Sequence, residues 1–159
     1  MHDLVINFFS GFPKELATFL IAIVPVTELR ASIPVAVTQF GMDPFSAWFW
    51  SVLGTFFAML LILFALEPVA SLLSRYFSFF HKFFEWLFEH TRKRANGKME
   101  KYGEWAIFIL AATPIPLIGG LTGALAAFVF GVAYKKAIPL LLVGTMVSGV
   151  IVLGITLWF

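Results

Sequence analysis

Of the 159 residues, 60% are apolar or aromatic, 20 are Phe, and 13% are charged. Soluble globular domains carry about 25% charged residues, so this chain has half the charge that would clothe a globule of its length. That excludes a disordered chain, a fibrous repeat and an ordinary cytosolic enzyme, and it predicts an integral membrane protein. The formal charge of +2 is local. Residues 75–104 hold seven Lys/Arg and four Asp/Glu, a balance of +3, and the rest of the chain sums to −1. No cysteine is present, so there is neither a disulfide nor a thiolate metal site.

In chain order, Met1-His2-Asp3-Leu4-Val5 lacks a basic leader region, and no cleaved signal peptide is expected. The apolar region Leu16–Met42 is interrupted by Val24-Pro-Val-Thr-Glu-Leu-Arg-Ala-Ser-Ile-Pro34. Proline removes a backbone donor and clashes with the preceding turn. The region therefore reads as two arms of roughly ten residues around a broken tip. Pro44–Leu66 follows as an uncharged run of 23 residues, and a helix needs about 20 to cross the hydrocarbon core. Between Arg75 and Glu89, polar Ser78, His81, Lys82, Glu85 and Glu89 recur at helical spacing among aromatic residues. That pattern predicts an amphipathic helix in the inner interface, or equally an extension of the first span kinked near Glu67-Pro68. Trp105–Tyr134 is a second apolar region, broken by Thr113-Pro-Ile-Pro-Leu-Ile-Gly-Gly-Leu-Thr-Gly123. Ala137–Phe159 is the second clean run of 23 residues.

The two halves share an order of features. Leu53-Gly54-Thr55 recurs as Val143-Gly144-Thr145, Pro25 is matched by Pro114, and Gly41 by Gly131, at offsets of 89 or 90 residues. The expected fold is one all-α transmembrane domain over 1–159. It comprises repeat 1 (12–74), an amphipathic basic linker (75–104) and repeat 2 (105–159). If both broken segments cross the membrane, each half has two spans. If both are re-entrant hairpins, the halves are inverted, and nine Lys/Arg of the linker and Lys135-Lys136 share one face against Lys14 on the other. The positive-inside rule favours that partition, with the linker cytoplasmic and the termini outside. Two inverted repeats, each a re-entrant helical hairpin plus a transmembrane helix, are the expected architecture.

Glu28 and Arg30 are the two charges placed at membrane depth, where each costs about 2.5–3.5 kcal/mol, which marks them as functional candidates. A carboxylate there suits proton uptake and release, and a guanidinium presents a planar fork to phosphate or carboxylate. The opposing reading is a Glu–Arg clip that holds the hairpin shut. Around them stand Pro25, Thr27 and Pro34, with the returning arm expected to start after Pro34. The second tip offers Thr113, Pro114, Pro116, Gly119, Gly120, Thr122 and Gly123. Its returning arm is expected after Gly120, with a helix N-terminus facing the site. The same glycines would also serve close helix packing. His2, His81 and His90 are placed away from both tips. Hydrolase and phosphate-loop motifs are missing, and Ser32 near Glu28 does not make a nucleophile–base pair. No enzymatic activity, metal, cofactor or nucleic-acid partner is expected.

With both tip motifs in view, the chain resembles the small multi-drug export protein family, itself similar to the DedA (SNARE-associated, VTT-type) superfamily. The resemblance implies two re-entrant hairpins meeting at mid-membrane and the transport or scrambling of lipids, including polyprenyl-phosphate carriers, with proton coupling in some members. Glu28 matches the acidic residue of the first motif, and Pro34 the proline after it. DedA proteins usually carry arginines in the second motif, where this chain has uncharged Gly and Thr. The expected function is a small transporter or flippase of a prokaryotic cell membrane, proton-coupled, acting as a homodimer on an anionic lipid or amphiphile. Two alternatives stay open: efflux of lipophilic cations by Glu28, and a membrane scaffold with a structural Glu28–Arg30 pair.

Overall fold

The computed structural model describes residues 11–25, 27–76, 78–114 and 119–158. Among these residues there are seven helices and no strand: α1 (Lys14–Ile23), α2 (Glu28–Thr38), α3 (Pro44–Tyr76), α4 (Ser78–Tyr102), α5 (Trp105–Ala112), α6 (Gly120–Val129) and α7 (Tyr134–Trp158). Packing divides the chain into two compact units, one of Met1–Ala58 with Thr145–Phe159, the other of Met59–Gly144.

In the first unit α1 packs against α2. Glu15 lies in the first turn of α1, where an acid complements the helix dipole. Its buried face is Ala17, Thr18, Ile21 and Ala22. Val24 is extended, as expected for a residue held out of the helical region by the proline that follows it, and α1 ends there. Pro25 has no N–H, so the Ile21 carbonyl loses its i+4 donor. The Thr27 hydroxyl replaces it, donating to Ile21 O at 2.8 Å. The returning arm α2 then begins at Glu28 and runs through Pro34, seven residues before the start expected from the sequence. Burial on both sides of the proline explains the difference. Leu29 and Ile33 pack with Val152, and Ala36 packs with Met42 and Ala47, so tertiary contacts carry the helix across the missing Arg30–Pro34 hydrogen bond.

The chain leaves α2 through Gly41 at φ +59, a left-handed conformation that glycine adopts without steric cost. Asp43 caps α3 by accepting the Ser46 N–H at 2.8 Å, with Pro44 as the first helical residue, the favoured start for a helix. The apolar stretch Pro44–Leu66 spans about 35 Å and α7 about 38 Å; these are the two described helices long and apolar enough to cross a membrane. Gly54 brings α3 against α1 so closely that a Cβ there would stand 2.5 Å from Phe19 O and 2.8 Å from the Ala22 Cβ. Thr55 donates its hydroxyl to Ala22 O at 3.3 Å. The end of α7 joins this unit through the Trp48 indole, which donates to Met146 O at 3.3 Å.

The second unit repeats these local structures. The buried residues of α5 are Ala106, Ile107, Leu110 and Ala111, each 89 positions after its counterpart in α1. Thr113 is extended before Pro114, and its hydroxyl donates to Ile109 O at 2.6 Å. Helix α6 closes on Gly131 at φ +64, with Val132 N–H bonded to Ala127 O at 2.9 Å and Gly131 N–H to Phe128 O at 3.1 Å, a Schellman turn. Gly144 brings α7 against α5 as Gly54 brings α3 against α1: a Cβ there would stand 2.6 Å from the Ala111 Cβ and 2.9 Å from Phe108 O.

The first span extends past Glu67-Pro68, one of the two forms expected for this region. Helix α3 continues through Pro68 to Tyr76, and α4 follows from Ser78. Helix α4 packs against α5 and α6, with Thr91 buried and the Phe88 and Phe128 rings 5.6 Å apart. Phe88 and Thr91 thus face α6, while Phe83 and Trp86 remain exposed. Lys136 and Glu104 pair at 2.9 Å and tie the start of α7 to the start of α5. On α3, Phe45, Phe49, Leu53, Phe57, Leu61 and Phe64 are exposed one turn apart, and on α7 so are Val143, Val147, Ile151 and Ile155. Contiguous apolar stripes of this length are rare on water-facing monomers and mark an apolar partner; a bilayer supplies it.

Candidate functional site

The first tip gathers the charged candidates. Glu28 is the first residue of α2 and is 7% exposed, with its N–H bonded to Val24 O at 2.9 Å. Its φ is +45, the single positive value on a non-glycine residue among those described. A left-handed non-glycine residue costs about 1–3 kcal/mol and persists only where the surroundings hold it. Residues two apart on a regular helix do not face each other. The left-handed backbone at Glu28 takes its side chain off the helical track, and Arg30 Nη2 lies 3.7 Å from Glu28 Oε2. At the N-terminus of α2 the carboxylate also meets the positive end of the helix dipole.

Arg30 is held from both sides of its charge. Its Nε is buried with no hydrogen-bond partner, while its side chain as a whole is 18% exposed. A guanidinium has five donors in a fixed fork, and the long contact to Glu28 leaves most of that capacity for another acceptor. With Glu28 ionised the pair is neutral. With Glu28 protonated the site carries one positive charge, presented by a group that binds carboxylate and phosphate in bidentate fashion.

Two of the tip threonines engage the backbone of the outgoing arms. Thr27 and Thr113 each donate the hydroxyl hydrogen to a backbone carbonyl orphaned at the end of the outgoing arm. They cap helices, and lone pairs are what they have left to offer. Pro25 forms the first turn, and Pro34 lies inside α2. In the second unit, Gly119 and Gly120 are buried at the start of α6. Gly120 lies against the Met59 methyl, and a Cβ on Gly123 would stand 3.1 Å from Leu141 Cδ2. Thr122 is buried on α6 and Pro114 follows α5. Pro116 lies outside the described residues. Pro25, Thr27, Glu28 and Arg30 thus gather at the first tip, Pro34 lies further along α2, and the described second-tip residues lie in the other unit.

Two groups of residues were missed by sequence reasoning. Ser32 and Ser51 are fully buried, and neither hydroxyl has a hydrogen-bond partner. Their signal was the polar and small spacing Glu28, Ser32, Ala36 on α2 and Ala47, Ser51, Thr55 on α3, four residues apart on each. His90, placed away from both tips by its position in the linker, instead stacks on Trp86 with ring centroids 5.1 Å apart. With Thr91, Leu121, Thr122 and Leu125 these side chains line a cavity of about 190 Å³ between α4 and α6. Nothing in the linker's periodicity showed which face α6 would cover. Among the described residues no group of His, Asp and Glu could hold a metal ion.

A family profile described as "putative small multi-drug export protein" matches residues 28–151, from the first tip to the middle of α7. No curated protein and no solved structure matches the chain.

Proposed function

The chain belongs to the small multi-drug export protein family, and from that premise we propose that it is a membrane transporter in which Glu28 and Arg30 couple a proton to an anionic amphiphile. The observation that carries this reading is the buried Glu28–Arg30 pair, 3.7 Å apart at a strained helix start. Glu28 competes with the substrate for Arg30. When Glu28 takes up a proton, its claim on the guanidinium ends, and Arg30 accepts a phosphate or carboxylate headgroup. When Glu28 loses the proton, it reclaims Arg30 and the anion is released. One proton and one negative charge are thereby bound together, so the loaded site is as neutral as the empty one, which limits the cost of carrying charge at low dielectric.

In this reading the two units are inverted repeats with re-entrant hairpins, and the exposed stripes of α3 and α7 face lipid. The linker is cytoplasmic, and a homodimer encloses the path. The recurrence of burial at an offset of 89 residues and of the Gly54 and Gly144 contacts supports the duplication. The substrate class is a lipid or amphiphile with a phosphate headgroup, because the site combines a guanidinium with apolar surroundings.

The test uses protein reconstituted in vesicles with a fluorescent phosphate-bearing lipid in one leaflet. Wild type moves the lipid between leaflets faster as the pH on the donor side falls. Glu28→Gln moves it at a rate independent of pH, and Arg30→Ala does not move it. Efflux of lipophilic cations requires the reverse, with Arg30→Ala active and Glu28→Gln dead. If wild type moves neither lipid nor cation, and Glu28→Gln and Arg30→Ala unfold the protein, the pair is a structural clip.

A further inference from the structure

The second unit holds a cavity that transport through Glu28 and Arg30 leaves unused. Helices α4 and α6 pack together, and between them lies a space of about 190 Å³. Its floor is buried, made by Thr91 of α4 with Thr122 and Leu125 of α6. Leu87 and Leu121 are its half-buried sides, and Trp86, 57% exposed, stands at the mouth. Residues 86, 87, 90 and 91 share one face of α4 at helical spacing, as 121, 122 and 125 do on α6. The short side chains at Thr91 and Thr122 leave room that a pair of leucines would fill.

The wall selects its ligand by size, charge and polarity. An apolar cavity of about 150 Å³ takes one benzene ring, whereas drug-sized molecules occupy about 300 Å³ or more. A space of about 190 Å³ therefore holds one six-membered ring with a small substituent. None of the lining residues carries a fixed charge. The charged Glu85, Glu89, Arg92 and Lys93 of α4 are exposed, and α6 has no charged residue. An ion entering here would lose its hydration without gaining a counter-charge, so the ligand is neutral.

The wall is not wholly apolar. His90 stacks on Trp86 with ring centroids 5.1 Å apart and planes 13° apart. Stacking uses ring faces, while imidazole nitrogens bond in the ring plane, one as donor and one as acceptor. The stacked imidazole can thus still take a hydroxyl. Trp86 adds aromatic surface on which a second ring gains more than an alkyl chain does, and a rigid ring has no chain entropy to lose on entry. We propose that the α4–α6 cavity binds a neutral one-ring aromatic alcohol of the phenol class, with the ring among the leucines and the hydroxyl on His90. The Glu28–Arg30 pair belongs to the other unit, and the cavity stands or falls independently of it.

The test follows the histidine side chains of the full chain by nitrogen NMR in one detergent. The chain has three histidines, and His90→Phe, which keeps a ring beside Trp86, identifies the His90 signals by their loss. Phenol should shift the His90 signals to saturation and leave those of His2 and His81 in place. Anisole lacks the hydroxyl donor and n-hexanol lacks the ring. With concentrations counted in the micelle phase, each should need about threefold more than phenol for half-saturation. Leu121→Trp fills the cavity and should remove the saturable shift; Leu87→Trp serves if that variant does not fold. Half-saturation by n-hexanol at the phenol concentration overturns the proposal in favour of an alkyl chain, such as a lipid tail. The same result with anisole overturns the hydrogen bond to His90 and, with it, the ligand class. Shifts that never saturate, or that persist in the filled variants, mean partition into the micelle and no site.

Discussion

The Glu28–Arg30 pair can be taken apart by a double-mutant cycle. Two unit charges 3.7 Å apart interact by about 4 kcal/mol at an effective dielectric of about 20. Side-chain exposures of 18% and 9% place the pair between surface and interior, and a separation too long for a hydrogen bond removes the geometric bonus of a close ion pair. A net coupling of about 2–3 kcal/mol is expected, below the 3–5 kcal/mol lost when a fully buried pair is broken. Glu28→Gln leaves the Arg30 charge without its counter-charge and should carry the full loss. Arg30→Ala leaves a carboxylate that can take up a proton instead, so its loss should be smaller and should shrink as the pH falls. The double variant should lose less than the sum of the two, by the coupling energy.

The assay is thermal unfolding of all four proteins in one detergent at two pH values. Each kcal/mol moves the midpoint by about 2–4 °C in a chain of this size, so Glu28→Gln should melt several degrees below wild type. Additive losses, with a coupling below about 0.5 kcal/mol, would refute the reasoning. The 3.7 Å approach would then carry no energy, and protonation of Glu28 would not release Arg30. A full coupling with no transport by the wild type is what the clip reading requires.

Three further outcomes follow from contacts outside the pair. Gly54→Ala and Gly144→Ala each push a Cβ into backbone and an alanine at under 3 Å; overpacking costs about 1–3 kcal/mol against a helix-propensity gain of about 1 kcal/mol, so both should lower the melting midpoint. Gly154→Ala, with nothing within 4 Å of the new carbon, should leave the midpoint unchanged or raise it. Thr27→Val removes the donor that satisfies Ile21 O beside Pro25, and should cost about 1 kcal/mol by the same melting assay. Asp43 is held below the usual carboxylate range by the Ser46 backbone N–H and then by the Ser46 side chain. Because the folded-state value is the lower one, its contribution is complete above about pH 4 and is lost as the pH falls through the folded value. Asp43→Ala should therefore be less stable than wild type near neutrality, with the difference narrowing in acid.

Much of the fold was legible because its determinants are local. Pro25 and Pro114 each force an extended residue before them, and that alone ends α1 and α5 where the sequence places the tips. Gly41 and Gly131 adopt the left-handed turns that a helix exit needs. The two uncharged runs of 23 residues became α3 and α7. What failed was decided by packing. Pro34 reads as a break, yet Leu29, Ile33 and Ala36 are buried around it and the helix continues. The linker's periodicity fits an interfacial amphipath or an extension of the first span, and only packing shows that Phe88 meets α6 and that His90 and Thr122 line one cavity. Glu28 and Arg30 stood out because charge is scarce in this chain, but their pairing depends on a positive φ that no spacing rule contains.

The likeness of α1 and α5 sharpens what the pair means. Helices α1 and α5 share buried registers, threonine hydroxyl bonds at their ends and a close glycine contact, and residues 105–134 of the second unit carry no charge, so local structure of this design does not need a Glu–Arg pair. Glu28 sits at a strained φ and Arg30 holds a buried Nε without a partner, costs borne by none of the described residues beside the second tip. A clip whose sole task was to close a hairpin would be redundant beside a twin that closes without one. Replacing Glu28 and Arg30 together by neutral residues should accordingly leave a folded protein, and the loss should appear in transport. If that double variant instead fails to fold, the twin is not the guide it is taken to be, and the pair belongs to the scaffold.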